Sequence, residues 1–169
     1  MRSAAFILFA SFLGLPSCDQ KTPVLSEDDV ALVRNTFPTM TKECVERAKR
    51  EGFEALNGPT DRCFPMQRQR EWVGLWVNEF EGSRFCPAPA TECKLTEYGT
   101  GTYLTFSEGQ RPVSVDRFQD GAIFQIRFLG RKTQESGSFG HMGGNAHEII
   151  VDRLISLQPR NGNSDNMAR

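Results

Sequence analysis

The stretch from Ala122 to Leu157 constrains this chain most: two alternating segments joined by a glycine-rich connection that carries both histidines. In the first segment Ala122, Phe124, Ile126 and Phe128 fall on one face and Gln125 and Arg127 on the other, the period-two pattern of a half-buried strand. From His147 to Leu157 the pattern returns, with Ile149, Val151, Ile155 and Leu157 on one side and Glu148, Asp152 and Ser156 on the other. Ile150 and Leu154 make that second face partly apolar, so this strand is expected to be covered on both sides. Between them stand Gly137, Gly140, Gly143 and Gly144, which permit positive φ or a close approach of another chain segment.

The preceding sequence supplies more strands and, before them, two helices. Trp72 to Val77 places Trp72, Gly74 and Trp76 on one face and Val73, Leu75 and Val77 on the other, so it belongs between two layers. Strands are also expected at Thr102 to Phe106 and Arg111 to Arg117, while Pro87 and Pro89 make the Cys86 to Cys93 stretch an irregular loop. Upstream, Ser26 followed by Glu27, Asp28 and Asp29 is a helix start, with Val30, Val33 and Phe37 on one face and Pro38 as the stop. A second helix is expected from Thr41 to about Glu51, burying Cys44, Val45 and Ala48. The resulting fold class is α+β: short N-terminal helices packed on a small antiparallel β-barrel, similar in shape to an oligonucleotide/oligosaccharide-binding (OB) barrel. It occupies 26–160 as a single domain, with a helical section over 26–65 and the barrel over 70–158. The polar run from Asn161 to Asn166 makes 161–169 an expected disordered tail.

The first residues are a targeting segment. Met1-Arg2 is a short positive start, Ala4 to Leu15 an apolar run too short to cross a bilayer, and Leu15-Pro16-Ser17-Cys18 a boundary of mostly small residues. Leu15, Ser17 and Cys18 resemble the lipobox of bacterial lipoprotein precursors, with Pro16 in place of the usual small residue. The resemblance implies a signal peptide over 1–17, cleavage before Cys18 and lipidation of Cys18, followed by a tether over 18–25. It implies a cell-envelope protein, lipid-anchored on the periplasmic side, and Asp19 resembles the residue that favours the inner membrane. The alternative is simple secretion.

Four cysteines then remain, Cys44, Cys63, Cys86 and Cys93, an even number suited to two disulfides in an oxidising compartment. The pairing expected is Cys44 with Cys63 and Cys86 with Cys93, because each pair is near in sequence and closes a short loop. Their spacing does not fit a zinc site. With a net charge of −1, and −2 once Arg2 leaves with the leader, there is no basic field to attract nucleic acid.

No phosphate-binding loop, nucleophile motif or metalloprotease helix is present, and no cofactor is expected. The residues that could carry chemistry are His141, His147, Glu148 and Asp152, as a ligand or metal loop, with Asp116 or Asp120 as further acids of a hydrolytic site. On the strand, Glu148 and Asp152 share a face and His147 points to the other, so a compact cluster requires the loop to fold back. Otherwise the histidines are structural and the glycines serve the crossing, and Arg153, if buried, would need a partner such as Asp152. The functional expectation is a non-catalytic binding or accessory module, engaging an unknown envelope protein or small ligand. Its rivals are a periplasmic hydrolase using His141 or His147, and an inhibitor presenting the Cys86 to Cys93 loop as a rigid wedge.

Overall fold

A computed structural model describes residues 24–94 and 97–160. The leader, Cys18, most of the tether and the tail after Arg160 lie outside the described residues. Two helices lead: α1 (Glu27–Thr36) and α2 (Lys42–Glu51). At the start of α1 the Ser26 hydroxyl accepts from the Asp29 N–H while the Asp29 carboxylate accepts from the Ser26 N–H, a reciprocal cap that satisfies two otherwise orphaned donors. Thr41 caps α2 in the same way, accepting from the Cys44 N–H. Val30 and Val33 pack on Val45 and Ala48, with Leu25 buried beside them. The expected tether therefore ends before Leu25, whose side chain has an apolar site to fill.

Five strands follow: β1 (Arg70–Asn78), β2 (Arg84–Pro87), β3 (Thr102–Phe106), β4 (Ala122–Lys132) and β5 (His147–Pro159). They close a barrel in the order β1-β2-β3-β5-β4, with β4 returning to β1. This is an α+β chain with a small five-stranded barrel. The barrel is mixed rather than antiparallel, because β3 runs parallel to β5 in the register Thr102↔His147 to Phe106↔Val151. The reason is topological: β4 lies between the two in sequence and turns the chain once, so β5 returns in the direction of β3. Inside lie Trp72, Trp76, Phe85, Leu104, Phe124, Ile126, Phe128, Ile149 and Val151. On the outside of β1, Leu75 and Val77 are covered by Cys93 rather than by a helix.

Three expectations fail for physical reasons. The Arg111 to Arg117 segment is a 3-10 turn, Val113–Arg117, led in by Pro112, and its Val115 is fully buried as a plug for one end of the barrel. Arg84, Phe85, Cys86 and Pro87 form β2, since Pro87 sits at the strand's last position, where a missing N–H costs little. In β5 the pairing with β4 shifts between Arg127 and Phe128 and again between Leu129 and Gly130. Each bulge adds a residue and resets the alternation, so Leu154 packs on the core and Ile155 is turned to solvent.

Candidate functional site

The helical section is joined to the barrel by Glu148 of β5 and by Arg131 of β4, which Asp152 holds in place; both carboxylates are candidate site residues singled out by the sequence. Glu148 is buried on the outer face of β5, where Thr60 Oγ1 donates to Oε2 and Thr105 Oγ1 to Oε1, both at 2.7 Å. Burial pushes its carboxyl above the usual range, with the two hydroxyls opposing that shift. Asp152, four residues on, accepts from the Arg131 guanidinium at 2.7 to 3.1 Å and from Gln69 at 2.9 Å. Arg131 also reaches Asp61 at 2.9 Å. Burial alone would raise the Asp152 carboxyl, but the Arg131 and Gln69 hydrogen bonds outweigh it and hold the group below its usual range. Arg153, which would need a partner such as Asp152 only if buried, is exposed.

Glu148 and Asp152 thus read as clamps between Thr60, Asp61 and the barrel. Their acidities are driven apart, a pattern shared with acid and base pairs, but Asp152 is enclosed by Arg131. The sign of the Glu148 shift gives a test. Its folded value lies above the unfolded one, so the stability it contributes is full below the unfolded value and is lost as pH rises through the folded one. Urea unfolding between about pH 4 and pH 8 is expected to show the wild type losing stability relative to Glu148→Gln; a parallel pair of curves would contradict the shift.

The two histidines do not meet each other or these carboxylates. His147 Nδ1 lies 3.1 Å from Thr133 Oγ1, and burial followed by the nearby Lys132 charge lowers its basicity. His141 sits in a 3-10 turn, His141–Gly143, with Nε2 3.2 Å from the Glu81 carboxylate. Asp116 is paired with Arg111, and Asp120 accepts the Phe80 N–H, so neither joins a histidine. Among the described residues no group of three His, Cys, Asp or Glu side chains is placed to hold a metal ion.

The glycines of the connection divide by role. Gly140 has φ +72° and its hydrogen faces the Tyr103 ring, where a Cβ would come within 2.6 Å; Gly144 has an ordinary φ and its nearest neighbour at 3.5 Å. Gly140→Ala is expected to cost on the order of 1 kcal/mol or more in thermal unfolding, and Gly144→Ala close to nothing.

Glu81, the partner of His141, borders a cleft of about 440 Å³ between the β1–β2 turn, β3 and the Val113–Arg117 turn. The cleft opens beyond the Arg84↔Tyr103 pair of β2 and β3, where the ladder is reduced to the Leu104 N–H donating to Ser83 O. Core side chains Trp76 and Phe106, with Phe118, form its floor, and Glu79, Glu81, Asp116 and Asp120 stand around it. Phe80 projects from its lip with 79% of its surface exposed. Sequence alternation could not reveal this site, since the cleft is bordered by a turn, a strand and a 3-10 segment that meet only in the folded barrel.

Two disulfides, Cys44–Cys63 and Cys86–Cys93, hold the helical section and the β2 loop. The second loop lies flat: Cys93 is buried on β1, the Ala88 N–H donates to Val73 O at 2.8 Å, and Arg160 bonds Thr91 O. No family model, no curated protein and no solved structure matches the chain.

Proposed function

We infer that this chain is an exported cell-envelope lipoprotein whose barrel is a non-catalytic binding module, with the cleft between the β1–β2 turn and β3 as its binding site. The observation that carries the reading is the cleft itself: an aromatic recess in which the half-buried Phe106 and Phe118 lie over the buried Trp76. Its volume falls within the range of about 300 to 1,000 Å³ typical of ligand sites. Four carboxylates around it disfavour a nucleic acid or another polyanion.

The lipid anchor rests on the lipobox resemblance at Leu15, Ser17 and Cys18. Mass spectrometry of the membrane fraction is expected to find Cys18 as the lipidated N-terminus, and an unmodified chain beginning elsewhere would remove the anchor from the account.

A hydrolase using His141 is the second reading, favoured by the His141–Glu81 pair beside the cleft. Both side chains are exposed, and no hydroxyl or thiol is hydrogen-bonded to the imidazole among the described residues. Photo-crosslinking separates binding from the absence of it. With p-benzoylphenylalanine in place of Phe80, cells are expected to yield a discrete adduct, whereas the same residue in place of Phe53, an exposed aromatic of the helical section, yields none. Equal labelling from both positions would contradict a cleft-centred site.

A further inference from the structure

The chemistry of the cleft selects among ligands, and the selection starts from its charges. Glu79 is paired with Arg84 and Asp116 with Arg111. Arg111 also lies 3.4 Å from the Asn78 side-chain oxygen, so the guanidinium group that lines the cleft is already engaged. The remaining carboxylates, Glu81 and Asp120, have no lysine or arginine partner among the described residues: Glu81 has only His141, and Asp120 accepts the Phe80 backbone N–H. The site therefore carries surplus negative charge above an apolar floor. The Tyr103 phenol in its wall is pushed up, by burial first and then by the negative charges of Glu148 and Glu81, in keeping with that field.

A second observation is independent of charge. A broken ridge of exposed apolar side chains leads outward from Phe80, interrupted by the polar Glu81–His141 contact. Glu81, next to Phe80, meets His141; Met142 follows; and the Tyr98 hydroxyl donates to Met142 O at 2.6 Å. Phe80, Met142 and Tyr98 are 79%, 80% and 78% exposed. Three large apolar side chains left in solvent beside one cleft are a docking signature rather than scattered surface residues.

We propose that the cleft takes an arginine or lysine side chain of a partner protein, presented on an apolar peptide segment. This rests on the cleft being the binding site. The aliphatic stem lies against Trp76, Phe106 and Phe118, as long basic side chains do on apolar surfaces. The cationic head reaches Glu81 and Asp120, where a charge-assisted hydrogen bond is stronger than a neutral one, and the flanking apolar residues cover the Phe80–Met142–Tyr98 ridge. A free amine would satisfy the carboxylates but leave that ridge bare.

The test is an NMR titration of the full chain in detergent micelles with acetyl-X-Arg-X-amide peptides, X being leucine, phenylalanine or alanine. Parallel titrations use the citrulline peptides, which are neutral, and butylguanidine, which has no flanks. At least one arginine peptide is expected to shift the Trp76 indole and the Ser83 and Leu104 amides saturably. Binding should weaken about tenfold or more with citrulline, with butylguanidine, and in Glu81→Gln/Asp120→Asn, which keeps the acceptor for the Phe80 N–H. Citrulline peptides binding as tightly would overturn the requirement for a cation, and butylguanidine binding as tightly would overturn the peptide. If no arginine peptide moves a cleft resonance while Phe80 still captures a partner, the proposal falls and the binding site stands. If both fail, the site falls too.

Discussion

Trp76→Ala is expected to remove about 4 kcal/mol of folding stability, the range for an aromatic side chain deleted from a packed core. The residue is 1% exposed, stacks on Phe124 with ring centroids 5.3 Å apart and meets Phe106 edge-on at 5.0 Å. Its indole N–H donates to Ser83 Oγ at 3.0 Å, and that hydroxyl donates to Leu104 O at 2.7 Å. This relay joins β1, the β1–β2 turn and β3 beside the single β2–β3 residue pair, adding to the backbone bond from the Leu104 N–H to Ser83 O. Trp76→Phe, which keeps most of the apolar area and loses the relay, should fall between wild type and Trp76→Ala. Urea unfolding measures both; a loss below about 1 kcal/mol for Trp76→Ala would mean that the barrel interior is not packed as described.

Gly130→Ala should cost about 3 kcal/mol, the upper end of ordinary overpacking, although it adds one methyl group. A Cβ at this position would lie 2.5 Å from the backbone oxygen of Ile150 and 2.8 Å from the Phe128 ring. Neither can yield cheaply: the carbonyl belongs to the β4–β5 ladder, where Gly130 pairs with Val151 beside a bulge, and Phe128 is fully buried. Gly74 on β1 is constrained in kind, with Cys86 O 2.3 Å from a built Cβ. Thermal unfolding of Gly130→Ala beside Gly144→Ala separates steric contact from a general effect of adding a side chain. A Gly130→Ala variant as stable as wild type would place the bulge elsewhere.

Much of the barrel was legible because alternation is a local signal. Phe124, Ile126 and Phe128 face inward as their spacing predicts, and Trp72 and Trp76 do the same on β1. The parallel pairing of β3 with β5 has no local signature, since it depends on which strands become neighbours. The β5 bulges were hidden for a related reason: they are set by register against β4, and a list of alternating residues carries no partner. For the candidate site, the sequence brought out Glu148 and Asp152 as exceptional without giving their role. Thr60 lies 88 positions from Glu148, and Arg131 lies 21 from Asp152, so what fixes each carboxylate is distant in the chain. Glu81, which meets His141, carried no signal at all, being one acid in a short turn whose neighbours are set only when the barrel closes.

Binding through the cleft, as opposed to chemistry at a histidine, is tested most directly by repeating capture from p-benzoylphenylalanine at position 80 in two further backgrounds. His141→Ala removes the imidazole and leaves the Glu81 charge, whereas Tyr98→Ala/Met142→Ala strips the ridge without touching a titratable cluster or the core. The adduct is expected to persist in His141→Ala and to fall severalfold in Tyr98→Ala/Met142→Ala. An adduct that vanishes with His141 and is indifferent to the ridge would contradict the account and favour a site organised around the imidazole.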